Sequence, residues 1–147
     1  MIEATSKPVR YQTQLASATH STTSDTTYDK RGSESGFCPH DLLEAALASC
    51  RNITIRMYAE QHGLALSDVT TRAKLDRSNP AEAAFEYEVE LQGKLSEQDR
   101  ARLPDVAGRC PVLRTLSTHL TFRTTTRMPR PTAIRVALAR VVLSVTS

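Results

Sequence analysis

The sequence lacks tryptophan, is poor in aromatic residues (5%) and has an apolar fraction of only 39% over 147 residues. A chain of ~150 residues can bury roughly two-thirds of its unfolded surface without disulfides or metals. The low apolar content nevertheless favours a core shared between subunits of an oligomer. There is no run of about 20 apolar residues, which argues against a membrane-spanning helix, and no apolar segment in residues 1–10 that would indicate a secretory signal. We therefore expect a cytoplasmic protein with no membrane partner.

Cysteine is scarce as well. The three cysteines are an odd number, which excludes a disulfide scaffold of the secreted type. Cys38 and His40 lie close together and are both metal-ligand types, but no second closely spaced pair completes a zinc site of four ligands. We expect no metal and no cofactor.

The small positive charge is concentrated at the C-terminus. Lysine and arginine exceed aspartate and glutamate by 19 − 16 = 3. Residues 126–147 hold four arginines and no acid, so residues 1–125 carry −1. A nearly neutral body with scattered aromatics argues against a nucleic-acid partner. The sequence does not decide the structure of residues 126–147. They could form an extra strand, a segment that docks onto a partner, or a disordered end.

The strongest local signal is a helix over residues 39–62. Pro39 stands at its first position, Asp41 in its first turn and Gly63 just after its end. Its apolar residues recur at intervals of three and four and predict one apolar stripe, formed by Leu43, Ala46, Leu47, Cys50, Ile53, Met57 and Tyr58.

The remaining patterns predict an α+β fold, with helices gathered against an antiparallel sheet. Strands are predicted at residues 9–19, 69–77, 85–92 and 117–125, a turn or hairpin at 20–27 and a polar loop at 32–36. Residues 85–92 alternate strictly between apolar and other side chains, mostly acidic, which is typical of a half-buried strand. A further helix is predicted over 96–107, with Ser96 as its N-cap and a bend or early end at Pro104, and a short one over 111–116.

Cys50 and Cys110 differ in local environment. A lone cysteine on an apolar helix stripe is ordinarily a small buried hydrophobe, and this is the plain interpretation of Cys50. Cys110 precedes Pro111 at the predicted start of a helix, with Arg109 and Arg114 nearby. Unpaired N–H groups, the helix dipole and these cations favour a thiolate, so Cys110 is a redox candidate on local chemistry alone.

Two motifs in this sequence resemble the OsmC/organic hydroperoxide resistance (OsmC/Ohr) family. The first is the run Cys-Pro-His-Asp-Leu-Leu-Glu-Ala-Ala-Leu-Ala-Ser-Cys at 38–50, continued by Arg-Met-Tyr-Ala at 56–59. The second is Gly-Lys-Leu-Ser-Glu-Gln-Asp-Arg-Ala-Arg-Leu at 93–103, followed by Cys-Pro-Val-Leu-Arg-Thr-Leu at 110–116. The resemblance covers about residues 9–125. It implies one OsmC-like domain over 1–125, with antiparallel sheets around a long central helix in an intertwined homodimer, and a separate basic tail over 126–147.

The resemblance also implies an activity. Cys50 would be the peroxidatic thiolate that attacks an organic hydroperoxide, and Cys110 the resolving thiol that closes a disulfide with it. A dithiol reductant, such as a lipoylated protein, would then restore both thiols. An arginine beside Cys50 would stabilise the thiolate and bind the peroxide.

The assignment of the accessory residues follows the same resemblance. Arg31, in the loop before the helix, is the candidate for the thiolate-stabilising arginine. His40 stands where the peroxidases have the carboxylate that orients this arginine, and Asp41 matches the acidic residue of the general motif. Leu113 replaces a histidine that close relatives often carry. Because this set departs from the peroxidase pattern, a second hypothesis stays open: a non-catalytic dimer of the same fold that binds a small ligand or senses redox state. An arginine-tailed interaction module is a weaker third.

Overall fold

The longest element is helix α1, Pro39–Gln61, in a computed structural model that describes residues 1–125. Cys38 is the N-cap residue and has an extended backbone conformation. Its backbone N–H donates a hydrogen bond of 3.0 Å to the Asp41 carboxylate. Gly63, at φ +62°, follows the C-cap residue His62 and takes the left-handed conformation that glycine tolerates. The predicted helix 39–62 is confirmed to within one residue.

The N-terminal segment forms a three-stranded antiparallel meander. Its strands are β1 (Glu3–Ser6), β2 (Thr13–Ala16) and β3 (Ser21–Ser24), in the order β1-β2-β3. The strand predicted over 9–19 is confirmed only in its shorter part, β2, and the turn or hairpin predicted at 20–27 contains β3, whereas β1 was not predicted. Tyr11, at φ 62°, lies in the turn before β2. Strands of four residues rich in serine and threonine are too short to show the alternation that marks longer ones.

A hairpin of longer strands follows α1. Strands β4 (Leu66–Asp76) and β5 (Ala84–Gly93) pair antiparallel, with Ala73 opposite Tyr87. The alternation predicted for 85–92 is confirmed: Phe85, Val89 and Leu91 are partly buried, and the glutamates between them are exposed. One face of the sheet is therefore apolar and covers α1.

Side-chain to backbone hydrogen bonds fix the position of α1 against β4. Three of them measure 2.7 Å: Asn52 Nδ2 to the Val69 carbonyl, Thr71 Oγ1 to the Ala48 carbonyl, and the Leu75 N–H to Glu44 Oε1. The first and the last satisfy backbone groups of β4 that its pairing with β5 leaves open, which is how a helix protects a sheet edge.

Two shorter helices complete the described fold. Helix α2, Glu97–Ala107, begins after Ser96, whose Oγ accepts a hydrogen bond of 3.1 Å from the Asp99 N–H, as predicted. It continues through Pro104 to Ala107. Helix α3, Pro111–Leu116, matches the predicted range.

The prediction of a strand over 117–125 was wrong. Within the described part of the chain these residues join no sheet and all are exposed. A strand needs a partner for its backbone N–H and C=O groups, and β-propensity alone does not supply one. The predictions for residues 126–147 lie outside the described residues.

The apolar core is small and lies where α1, β4 and α2 meet. Its central cluster is Ile55, Val69, Leu103 and Ala107. No helix within residues 1–125 is both long enough and apolar enough to cross a membrane.

The loop between β3 and α1 is organised by one buried carboxylate. Asp25 is 2% exposed and accepts four hydrogen bonds: from the Thr26 N–H (2.7 Å), the Ser33 N–H (3.2 Å), the Ser33 hydroxyl (2.6 Å) and the Ser35 N–H (3.1 Å). The Ser33 hydroxyl is the main reason that the pKa of Asp25 falls to about 2, and it outweighs the effect of burial, which raises the pKa. The charged carboxylate therefore holds the loop that carries Arg31.

We predict that Asp25→Asn lowers the melting temperature at neutral pH, because an amide cannot accept all four bonds. The folded pKa of about 2 lies below the ordinary value of 3.8. The wild-type carboxylate therefore stabilises the fold fully above pH 3.8 and loses this contribution as the pH falls through 2. The gap in melting temperature between wild type and variant should narrow from pH 5 to pH 2. Asp68→Asn, at an exposed aspartate, is the control. A gap that stays constant with pH would contradict the role of the charge.

Candidate active site at the cysteine pair

Cys50 and Cys110 are brought together although 110 − 50 = 60 residues separate them in the sequence. Cys50 lies near the middle of α1, and Cys110 is the N-cap residue of α3, where its Sγ accepts a hydrogen bond of 3.3 Å from the Leu113 N–H. The Cys50 thiol is close enough to influence the pKa of Cys110. Both cysteines are free thiols. The structure therefore places two thiols side by side at the contact between α1 and α3.

The two thiols differ in accessibility. Cys110 has 0% of its surface exposed, whereas Cys50 is partly exposed. Cys50 lines an open groove of about 410 Å³ whose other lining residues are Ala46, Ser49, Ile53, Thr54, Met57, Pro111 and Val112. Cys110 does not line it. A small molecule in this groove would meet the sulfur of Cys50 first.

The expectation that Cys110 favours the thiolate was wrong. Burial is the largest influence on its pKa and raises it, and the Leu113 N–H opposes this only in part. The hydrogen bond and the charge of Cys50 raise the pKa further, while the Arg51 guanidinium lowers it. Arg109 and Arg114, which were expected to favour the thiolate, are exposed. Desolvation of a thiolate thus outweighs the hydrogen bond at the helix start.

The other predicted site residues lie towards the N-terminal end of α1. Arg31 is exposed at the end of a short 3₁₀ helix, Tyr28–Lys30, with its own backbone in the left-handed region at φ 65°. Asp41 caps α1, and His40 is exposed in its first turn. At 1.5 Å of rise per residue, Asp41 and His40 lie about 14–15 Å along the helix from Cys50. Within one chain the structure does not bring these two residues to the thiol pair.

Cys38 is separate from the pair. Its position as N-cap of α1 leaves it partly buried beside Asp41, and burial, followed by the charges of Asp41 and Glu34, raises the pKa of its thiol. No group of histidine, cysteine and acidic side chains among residues 1–125 is arranged to hold a metal ion.

Arg51 is the residue that sequence analysis missed. It is 1% exposed, and neither its Nε nor its two terminal nitrogens have a hydrogen-bond partner among the described residues. Its Cζ lies 3.4 Å from the centre of the Tyr87 ring. The available signal was its spacing, since Arg51 stands four residues from Leu47 and four from Ile55, on the buried face of α1. Arg51 was not included in the predicted apolar stripe because arginine is seldom buried.

These features define an α+β protein with a thiol pair at a helix junction. The chain belongs to the OsmC-like protein family, which matches residues 32–125. The resemblance inferred from the two cysteine motifs is thereby confirmed. No curated relative matches the sequence.

Solved structures of the same family share the fold. An OsmC-like protein from Mycoplasma pneumoniae has a TM-score of 0.68 and 22% identity, covering 79% of this chain and 85% of that one. An organic hydroperoxide resistance protein OsmC from Legionella pneumophila has a TM-score of 0.59 and 17% identity, covering 80% and 89%. An organic hydroperoxide resistance protein from Elizabethkingia anophelis has a TM-score of 0.58 and 15% identity, covering 80% and 88%. The predicted α+β, OsmC-like fold is confirmed.

We predict that Arg51→Met raises the stability of the protein, by about 1–3 kcal/mol, because a buried charge with no hydrogen-bond partner among residues 1–125 is replaced by an apolar chain of similar length. Chemical denaturation at neutral pH measures this difference. Arg56→Met, at an exposed arginine of the same helix, is the control and should change stability by less than about 0.5 kcal/mol. A loss of stability in Arg51→Met would mean that the guanidinium has a strong partner in the assembled protein.

Proposed function

We propose that this protein is a thiol-dependent peroxidase of the cytoplasm that reduces organic hydroperoxides, with Cys50 as the peroxidatic and Cys110 as the resolving cysteine. The observation that carries the proposal is the pairing of two free thiols of unequal accessibility, one in an open groove and one buried behind it. A two-cysteine mechanism requires this asymmetry, because only one sulfur should meet the peroxide.

The proposed reaction has three steps. The Cys50 thiolate attacks an oxygen of the hydroperoxide, the O–O bond breaks, and Cys50 becomes a sulfenic acid while the alkoxide takes a proton and leaves as an alcohol. Cys110 then attacks the sulfenic sulfur, which closes a disulfide and releases water. A dithiol reductant, such as a lipoylated protein, reduces this disulfide back to two thiols and is itself oxidised to a disulfide.

Local chemistry supports this order of roles. Burial, followed by the neighbouring Cys50, raises the pKa of Cys110, so this thiol holds its proton more strongly than an ordinary cysteine does. The groove beside Cys50 is lined largely by apolar side chains, among them Ile53, Met57 and Val112. These suit the organic part of an alkyl hydroperoxide better than they suit hydrogen peroxide.

We also propose that the working unit is a homodimer that buries the outer face of α1. Leu43, Ile53 and Met57 are exposed by 44, 55 and 65% in the single chain. They belong to the predicted apolar stripe, of which only part is covered by the chain itself. A second copy on this face would also enclose the groove beside Cys50. Arg31, exposed in the loop before α1, stays our prediction for a group that binds the peroxide.

A non-catalytic, redox-sensing dimer is the second candidate. The observation that favours it is the raised pKa of Cys110, together with the distance of His40 and Asp41 from the thiols within one chain. A pair of this kind could be oxidised slowly to a disulfide without efficient turnover.

We predict unequal effects of removing the two thiols, in a Cys38→Ser background that keeps full activity. Cys50→Ser should abolish hydroperoxide consumption with a dithiol reductant. Cys110→Ser should consume about one equivalent per subunit and leave a sulfenic acid on Cys50 that a dimedone probe traps, and excess peroxide should carry it to the sulfinic acid. Peroxide consumption and mass spectrometry measure both. A wild type that turns over no alkyl hydroperoxide, or an active Cys50→Ser, would favour the redox sensor.

We predict a dimer at micromolar concentration in sedimentation velocity experiments. Ile53→Glu should shift the protein to the monomer, because it places a charge in the middle of the proposed interface. Val9→Glu, at a residue that is 51% exposed outside this face, is the matched control and should remain dimeric. A folded wild-type monomer at this concentration would contradict the proposed assembly.

A further inference from the structure

Arg51 carries a permanent positive charge in the protein interior. It is 1% exposed, and its three nitrogens are without a hydrogen-bond partner in residues 1–125. Residues 126–147 contain no aspartate or glutamate, so they cannot supply a side-chain carboxylate. A guanidinium stays charged at any pH that a protein meets. Its burial is therefore costly unless a negative charge forms close by.

The sheet above Arg51 covers the guanidinium but does not neutralise it. Tyr87 of β5 places its ring 3.4 Å from the Arg51 Cζ, a cation–π contact. The acidic residues of β5 occupy the alternate positions, on the opposite, exposed face of the sheet. There, Glu88 and Glu90 pair with Arg72 of β4 at 3.3 and 3.4 Å.

The other elements packed against α1 place no negative charge beside Arg51 in residues 1–125. Within residues 1–125 no carboxylate lies within ion-pair distance of Arg51. On α2 the charged groups are exposed or bound elsewhere: Asp99 to its N-cap serine, Arg100 to the Leu91 and Gly93 carbonyls, and Arg102 beside Tyr58. Asp105, Arg109 and Arg114 are exposed.

The cysteine pair adjoins Arg51 and carries a negative charge when one of its thiols loses a proton. Arg51 follows Cys50 directly on α1, and its charge acts on Cys110 to lower the pKa of that thiol. Among charged side chains it is the one that influences Cys110. Arg31, by contrast, is exposed to solvent, where its charge is screened.

We propose that Arg51 is a positioning residue for the thiol chemistry: its guanidinium, buried under Tyr87, stabilises the negative charge that forms on the Cys50–Cys110 pair. The assignment rests on the proposed peroxidase function and gives the thiolate-stabilising role to Arg51 in place of Arg31. It also explains why the chain keeps a buried arginine that we expect to cost stability, since a charge in a dry site acts more strongly than one in water.

The test is a titration of the reduced protein, followed by thiolate absorbance near 240 nm in a Cys38→Ser background, so that only the pair contributes. Arg51→Met should move the midpoint of the first ionisation upward by about one pH unit, which means about tenfold less thiolate at neutral pH. Arg51→Lys keeps the charge and should recover most of the shift. Arg56→Met, which removes an exposed charge from the same helix, should move the midpoint by less than about 0.3 units.

Tyr87 supplies a second pair of variants that retain Arg51. Tyr87→Phe keeps the aromatic cover and should leave the midpoint in place, whereas Tyr87→Leu should shift it part of the way towards that of Arg51→Met, because water reaches the guanidinium. Raising the salt concentration should change the wild-type midpoint little, since a buried charge is weakly screened. These measurements test the assignment without relying on Arg51→Met.

Equal midpoints in Arg51→Met and Arg56→Met would overturn the inference. So would a larger shift in Arg31→Ala than in Arg51→Met, because the exposed arginine would then supply the charge. The titration uses no hydroperoxide and no reductant. A protein that shows the Arg51 shift and yet turns over no hydroperoxide would contradict the peroxidase function and still support the charge assignment.

Discussion

The contact between α1 and β4 is the constraint on which the rest of the structure depends. Helix side chains bond to the open edge of β4, and a β4 hydroxyl bonds back to a helix carbonyl, at three places along the contact. These bonds fix both the rotation and the height of the helix relative to the sheet. A rotation by one residue, about 100°, would turn a different set of side chains inward. The orientation of every site residue on α1 follows from this one setting.

With this rotation α1 presents two faces of different character. Leu47, Arg51, Ile55 and Ala59, spaced by four, face the sheet and α2 and are buried. Leu43, Ile53 and Met57 face outward and remain exposed. Cys50 lies at the boundary, so its thiol influences the buried Cys110 and also lines the groove. The rotation of α1 therefore leaves the Cys50 thiol accessible from the groove.

The sequence predicted elements where local chemistry is strong. Pro39 and Gly63 mark the ends of α1, alternation marks β5, and the Ser96 cap marks α2, and all three were confirmed. Local chemistry misled where tertiary context decides. The short polar strands of the N-terminal meander show little alternation, and residues 117–125 have β-propensity but no partner within residues 1–125. Cys110 has the local surroundings of a thiolate, yet burial dominates its ionisation.

By itself the sequence determined the family, through two cysteine motifs, and it determined the α+β class, the long helix and the two cysteines on which the chemistry is proposed to depend. Only the tertiary structure decided which cysteine is accessible, that Asp25 organises the loop before α1, and that Arg51 is buried beneath Tyr87. The physical reason is that caps and periodicity act between residues close in sequence, whereas burial and charge proximity depend on elements distant along the chain. An arginine inside an apolar helix face has no local signature, because its role depends on a ring 36 residues further on (87 − 51).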